Sequence, residues 1–129
     1  MFDTIAQASK KTGISIHTLR YYDREGLLPF IEHSANGSRL FRESDYEWIA
    51  VLQCLKNTGM PLKQIKTYMD WCMQGDTTLE KRLSLFQSQK IVIEHQLKEL
   101  KTYQNIVEYK IKYLKGRIDG TEEKGICQF

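Results

Sequence analysis

From Thr77 to Lys115 the chain runs without a glycine or proline, and an apolar stripe follows it from end to end. Leu79, Leu83, Phe86, Lys90, Ile93, Leu97, Leu100, Gln104, Val107, Ile111 and Leu114 are separated by steps of four and three, and nine of these eleven positions are apolar. That is a heptad seam kept over five heptads, the pattern of a helix that packs along another helix. At about 1.5 Å per residue such a helix is roughly 55 Å long. Nothing else in the chain is long enough to cover the stripe. The seam therefore requires a partner helix, most simply its own copy; the alternative is a helix folded back on its own head. Dimerisation is assigned to the nine apolar positions, Leu79, Leu83, Phe86, Ile93, Leu97, Leu100, Val107, Ile111 and Leu114. Lys90 and Gln104, the two polar ones, can fix register and orientation at some cost in stability.

A chain of 129 residues carrying such a helix has room for one small domain in front of it and not for two. That domain opens with two short helices. Asp3 to Lys11 form the first, capped by Asp3 or Thr4, with Ile5 and Ala8 inward and Thr12-Gly13 at its end. Ser15 is the N-cap of the second, its hydroxyl accepting from a first-turn amide, and Gly26 suits its left-handed C-terminal position. Ile16, Leu19 and Tyr22 recur at helical spacing and face a core. The other face carries His17, Thr18, Arg20, Tyr21 and Arg24, the donors and aromatics that reach phosphates and base edges. Two short helices joined by a glycine-containing turn make a helix-turn-helix, whose second helix enters the major groove. Asn36-Gly37, in the middle of Phe30 to Phe41, is a strong hairpin signal because both residues tolerate positive φ, so a small β-hairpin wing follows.

Two more helices complete the head. Ser44-Asp45-Tyr46-Glu47 reads as a capping box opening a helix to about Thr58, with Trp48, Ile49, Val51, Leu52 and Leu55 apolar. After Gly59, Pro61 takes a first helical position and a helix runs to about Gln74. Its Leu62, Ile65, Tyr68, Met69 and Cys72 face inward. Lys56 and Lys63 flank the Gly59 turn, where a helix N-terminus can hold a phosphate. A second capping box, Thr77-Thr78-Leu79-Glu80, opens the long helix. Gly116 to Phe129 reads as a flexible tail, too short for a separate ligand-binding domain.

Leu19-Arg20-Tyr21-Tyr22-Asp23, Gly26-Leu27-Leu28-Pro29, Gly37-Ser38-Arg39-Leu40-Phe41 and Asp45 together resemble the DNA-binding domain of the MerR, or mercury-resistance regulator, family. The resemblance covers residues 2–75 in order and spacing, with a long helix behind as the family has. Ser38 departs from it, standing where the family usually has an aromatic, which bears on one wing contact and not on the fold. The resemblance implies an all-α chain: a winged helix-turn-helix DNA-binding domain over 1–75 with a small β-hairpin wing, a long dimerisation helix in an antiparallel coiled coil over 76–115, and the tail over 116–129. It implies a homodimer on a promoter inverted repeat, acting by bending and untwisting an over-long spacer so that RNA polymerase engages both promoter elements. The DNA-binding candidates are Ser15, His17, Thr18, Arg20, Tyr21, Tyr22, Arg24, Arg39, Phe41, Lys56 and Lys63.

Charge argues against this reading at first sight. The net charge is +3, and residues 1–45 hold six Lys/Arg against six Asp/Glu, whereas a DNA-binding domain is expected to be basic. The resolution expected is placement, with Arg20, Arg24, Arg39 and Arg42 on one face and the acids elsewhere.

Regulatory inputs are few. Metal-sensing relatives carry cysteines at the start of the long helix and in the loop after it. Here the start is Thr77-Thr78, the loop offers only Cys127, and His95 has no evident partner ligand, so no metal and no cofactor is expected. Cys54 resembles the single cysteine that some aldehyde- and nitrosative-stress regulators of this family carry in the same helix, and is the effector-sensing candidate; the other reading is a buried structural cysteine. Cys72 reads as core. With no triad, carboxylate pair or phosphate loop, the chain is not read as an enzyme. With no signal peptide and no run of about 20 apolar residues, it is expected in the cytoplasm and off membranes. The rival from another class is a coiled-coil adaptor whose head binds protein.

Overall fold

The structure, a computed structural model, describes residues 1–121. Helices α1 (Ile5–Thr12) and α2 (Ile16–Arg24) are followed by a hairpin of β1 (Glu32–His33) and β2 (Arg39–Leu40), then α3 (Asp45–Asn57), α4 (Leu62–Gln74), a 3₁₀ turn (Asp76–Thr78) and α5 (Leu79–Asp119). The strands pair antiparallel, Glu32 with Leu40 and His33 with Arg39. A single bridge of Asp3 with Phe41 fastens the N-terminus to the far end of the wing. Met1–Gln89 form one compact unit, and the chain from Lys90 a second.

Both short helices end where their sequences say. Thr4 and Gln7 form a capping box on α1, and Gly13 closes that helix in the left-handed region at φ 74°. The Ser15 hydroxyl accepts from the Thr18 amide at 3.1 Å. Between them the helices deliver Ala8, Leu19 and Tyr22 to a core completed by Leu27, Leu28, Phe41, Ile49, Leu52, Leu55, Ile65 and Met69. The long helix belongs to this core at its start. Leu85 is buried in it. Gln89 reaches the Thr58 hydroxyl at 2.7 Å, and Arg82 donates to the Gly75 carbonyl at 3.0 Å.

Several boundaries differ from the sequence reading. Ser44 is already helical and makes no cap; the buried Asp45 carboxylate instead accepts from the Arg42 amide at 2.8 Å. Pro61 is the N-cap of α4 and not its first helical residue. Thr77 and Glu80 form no capping box at α5: Asp76–Thr78 wind into the 3₁₀ turn, and the Thr78 hydroxyl turns back to the Trp71 carbonyl at 2.6 Å. In the hairpin only Gly37 has positive φ, so Asn36-Gly37 closes a wider loop, held by the Ser34 amide on the Ser38 carbonyl at 2.8 Å. Gly116 does not end α5. A glycine inside a helix costs about 1 kcal/mol relative to alanine, too little to break it, and the end comes at Gly120 (φ 79°), with the Thr121 amide on the Gly116 carbonyl at 2.9 Å. The remainder of the expected tail, residues 122–129 with Cys127, lies outside the described residues.

The largest correction concerns two aromatics. Tyr22 and Phe41, both named as DNA-binding candidates, are 1% and 0% exposed. Tyr22 lies on the inner face of α2 one turn from Leu19, and the Asp3–Phe41 bridge fixes the backbone that turns Phe41 inward. Neither can touch a ligand. Phe41→Ala is expected to cost about 3–5 kcal/mol of stability as a core truncation, measured by denaturant melting, while Phe41→Leu retains both fold and DNA binding.

Candidate nucleic-acid interface

The outward face of α2 is what the inner face leaves over. With Leu19 and Tyr22 buried, helical geometry turns His17, Arg20, Tyr21 and Arg24 to solvent, and all four are exposed. Ser15 and Thr18 stand at the same end of the helix but spend their hydroxyls on each other at 2.9 Å, as part of the cap. Tyr21 tilts against Tyr22 with ring centroids 6.2 Å apart, which braces an exposed ring on a buried one.

The wing lies against this helix. Arg39 on β2 donates from Nε to Oδ2 of Asp23 at 2.6 Å, and His33 Nε2 from β1 meets the same oxygen at 2.9 Å. Arg39 is therefore not the free wing cation the sequence suggests; its side chain is 22% exposed and that of Asp23 is 13%. Arg42 is further from availability. Its Nη2 donates to the Phe30 carbonyl at 2.9 Å, its Nη1 pairs with Glu32 at 3.1 Å, and its Nε approaches Asp45 at 3.8 Å.

The other two predicted cations come to α2 from behind. Lys56, at the end of α3, places Nζ 5.5 Å from the centre of the Tyr22 ring. Lys63, in the first turn of α4, lines a depression with Tyr21, Glu25, Leu27, Leu62 and Lys66. Lys66 was missed by the sequence reading. It stands one turn after Lys63 on the same face of α4, which is the signal that reveals it, and a Cβ on Gly26 would lie 2.9 Å from its Cε. Lys66 also pairs with Asp70 at 3.1 Å. The first-turn amides of α4 open on this side, as at any helix N-terminus.

The ion pairs of the head show where its acids are held. Of the six acids in residues 1–45, Asp3 and Glu43 meet Lys11, Asp23 meets Arg39 and His33, and Glu32 and Asp45 meet Arg42. The Lys11 ammonium and the Tyr46 hydroxyl, donating to Asp3 at 2.8 and 2.5 Å, hold the Asp3 carboxyl below its ordinary range. Glu25 alone among the six has no such pair. Arg20, Arg24, Lys56 and Lys63 have none either, so four cations without an ion pair among the described residues lie on and beside α2. The expected clustering of four arginines holds for two of them.

Cys54 is exposed on α3, which removes the reading of it as a buried structural cysteine; Cys72 is half-buried beside Tyr68. Burial, first, and a hydrogen bond with Cys72 raise the Tyr68 hydroxyl above its ordinary range. On α5, the seam positions Leu79, Leu83, Phe86, Leu97, Leu100, Val107, Ile111 and Leu114 are exposed and Ile93 is half-buried. Phe86 also meets Tyr68 edge-on at 5.1 Å. No helix among the described residues is long and apolar enough to cross a membrane.

Residues 4–71 match the family described as MerR HTH family regulatory protein. An uncharacterized HTH-type transcriptional regulator of Haemophilus influenzae is 48% identical over 110 residues, which are 85% of this chain and 82% of that protein. The HTH-type transcriptional regulator AdhR of Bacillus subtilis is 34% identical over 86 residues; the match spans 67% of this chain and 61% of AdhR. The crystal structure of HiNmlR, a MerR family regulator lacking the sensor domain, bound to promoter DNA, superposes with a TM-score of 0.85 at 47% identity, covering 94% of this chain and 97% of that one. A MerR family transcriptional regulator from Bacillus thuringiensis superposes at 0.80 with 36% identity over 87% of this chain and 98% of that one.

Proposed function

The chain belongs to the MerR family of helix-turn-helix regulatory proteins, and from that premise we propose that it binds a promoter inverted repeat as a homodimer and controls transcription by deforming the spacer DNA. That it is a DNA-binding transcriptional regulator follows from its family and from its likeness to a relative solved on promoter DNA; the adaptor alternative is not favoured. The observation that carries the finer reading is the charge arrangement of the head. Arg20 and Arg24 stand unpaired on the face of a helix that also presents His17 and Tyr21, with Lys56 and Lys63 beside it. In this reading Arg20 and Tyr21 reach base edges from the major groove, Arg24, Lys56 and Lys63 contact phosphates, and Arg39 contacts a phosphate from the wing. Ser15 and Thr18 contribute through the helix start. The domain limits follow the same division of labour, a DNA-binding head and a dimerising helix.

The seam supports the dimer. Eight large apolar side chains on one stripe of a helix stand exposed in the single chain, and a contiguous surface of that kind calls for a partner. An identical, antiparallel helix covers it with its own stripe. Two heads joined this way match a two-fold symmetric operator, and bending the intervening DNA brings the two promoter elements to RNA polymerase. For the signal, the exposure of Cys54 favours a reactive role. Modification of its thiolate by an electrophile would push on α3, the helix behind both the wing and α2, and a packed core passes such a shift on to the heads.

Arg20→Ala is expected to weaken binding to the preferred duplex by about 1–3 kcal/mol and to relax preference at one base pair. Selection of bound duplexes from a random library, followed by titration, checks it; unaltered affinity and preference would remove α2 from the groove. Leu97→Glu with Leu100→Glu should leave a monomer with lost tight binding, and a sedimentation profile still dimeric at micromolar concentration would overturn the coiled coil. Cys54→Ser should keep fold and DNA binding but lose the change in promoter output on exposure to an aldehyde. A mutant responding like the parent protein would make Cys54 a bystander.

A further inference from the structure

Asp23 sits where a DNA-binding surface should not keep an acid. It lies in the last turn of α2 between exposed Tyr21 and Arg24, and a carboxylate there repels phosphates. Glu25, the other acid at this end of the helix, is exposed and carries no ion pair among the described residues; Asp23 instead holds two groups of the wing on a single oxygen, Arg39 Nε at 2.6 Å and His33 Nε2 at 2.9 Å. Arg39 and His33 face each other across the two-residue strands, so the carboxylate grips both strands at one rung. The hairpin's other ties, the Asp3–Phe41 bridge and the Arg42 contacts with Glu32 and Phe30, lie at its base and do not reach α2. Each strand is two residues long, and the β1 side chains are exposed, far short of what a hairpin needs to hold its shape in water.

The bond to Arg39 has a direction that matters. Asp23 takes Nε alone, which orients the planar guanidinium and leaves Nη1 and Nη2 with no partner among the described residues. A guanidinium presents its donors in a fixed fork, so holding one edge aims the other. We propose that Asp23 is a positioning residue for DNA binding: it clamps the wing to α2 and aims the Nη edge of Arg39 at a phosphate. The inference rests on the DNA-facing reading of α2 and the wing.

It makes a counterintuitive prediction. On charge alone, removing an acid beside the DNA strengthens binding and leaves or steepens the salt dependence. If Asp23 positions Arg39, removing it weakens binding. Asp23→Ala in the full-length chain is expected to lower affinity about tenfold for a duplex selected by the parent protein, a loss of the size of one charge-assisted contact. The slope of log affinity against log salt should fall by about one, as for a lost phosphate contact. Adding Asp23→Ala to Arg39→Ala should bring little further loss, because the two act as one unit. Asp23→Asn, which keeps the shape and loses the charge, should lie between the parent and Asp23→Ala, and guards against a fold defect. Amide exchange across residues 34–40 of the free protein should quicken in Asp23→Ala while α1 and α3 remain protected.

Unchanged or tighter binding by Asp23→Ala, with Arg39→Ala weakened, overturns the clamp and leaves the DNA face standing. Normal binding by both Arg39→Ala and Arg20→Ala overturns the DNA face and the inference with it. Full additivity of the two substitutions also overturns the proposal, since it separates Asp23 from Arg39.

Discussion

Everything the head does depends on the burial of one face of a nine-residue helix. A helix as short as α2 has no stability of its own in water. It exists because Leu19 and Tyr22 are sealed into a core with Leu27, Leu28 and Phe41, and its orientation is set by the same contacts. Arg20 and Tyr21 face outward as a geometric consequence of what Leu19 and Tyr22 do, since neighbours on a helix are turned by about 100°. The buried aromatics are thus the support of the interface and not part of it. Phe41 extends that support to the wing, because the backbone bridge of Asp3 to Phe41 ties the end of the hairpin to the start of the chain.

Charge is handled by placement. The head carries no net charge over its first 45 residues, yet the potential a phosphate meets depends on where the acids are held, and their partners here are local. Lys11 takes up Asp3 and Glu43 between α1 and α3, and Arg42 takes up Glu32 and Asp45 at the base of the wing. A pair exposed on both sides, such as Lys11 with Glu43, adds little stability. Each cluster sets one cation against two acids and so keeps a negative charge, but it holds that charge on Lys11 or Arg42 and leaves Arg20, Arg24, Lys56 and Lys63 without an ion pair.

What could be read from the sequence was short-range. Ser15 as a cap, Gly13 and the end of α2 at Gly26, the order of helices and wing, and the family all follow from residues within a turn or a motif of one another. What could not be read depends on partners far along the chain. Asp23 and Arg39 are 16 positions apart and Asp3 and Tyr46 are 43 apart, and no local pattern announces either contact. Tyr22 was assigned to the core by its spacing and to DNA by its motif, and packing decided for the core. Leu85 shows the reverse difficulty. The seam is regular enough to draw attention from a leucine one position off it, yet that leucine is buried in the core of the head. Gly116 looked like a terminator only because composition was weighed without the backbone angle, which Gly120 adopts and Gly116 does not.

The exposed seam completes the argument, because one head alone is a poor regulator. In the proposed reading, a single α2 with two unpaired arginines and two neighbouring lysines would neutralise only a handful of phosphates, and each such contact is readily traded for salt. Joining two heads makes the second binding event intramolecular, which multiplies affinity by about 10²–10⁴ without any new contact to DNA when the spacing fits. It also converts spacing into information, since a joined pair of heads favours one separation of half-sites, and DNA at another separation must be bent or twisted to fit. Deformation of that order costs about 1–6 kcal/mol, comparable with the gain from the second head. In the proposed reading, a regulator built this way would sit near balance between two DNA shapes, and a small rearrangement behind α2 would suffice to tip it.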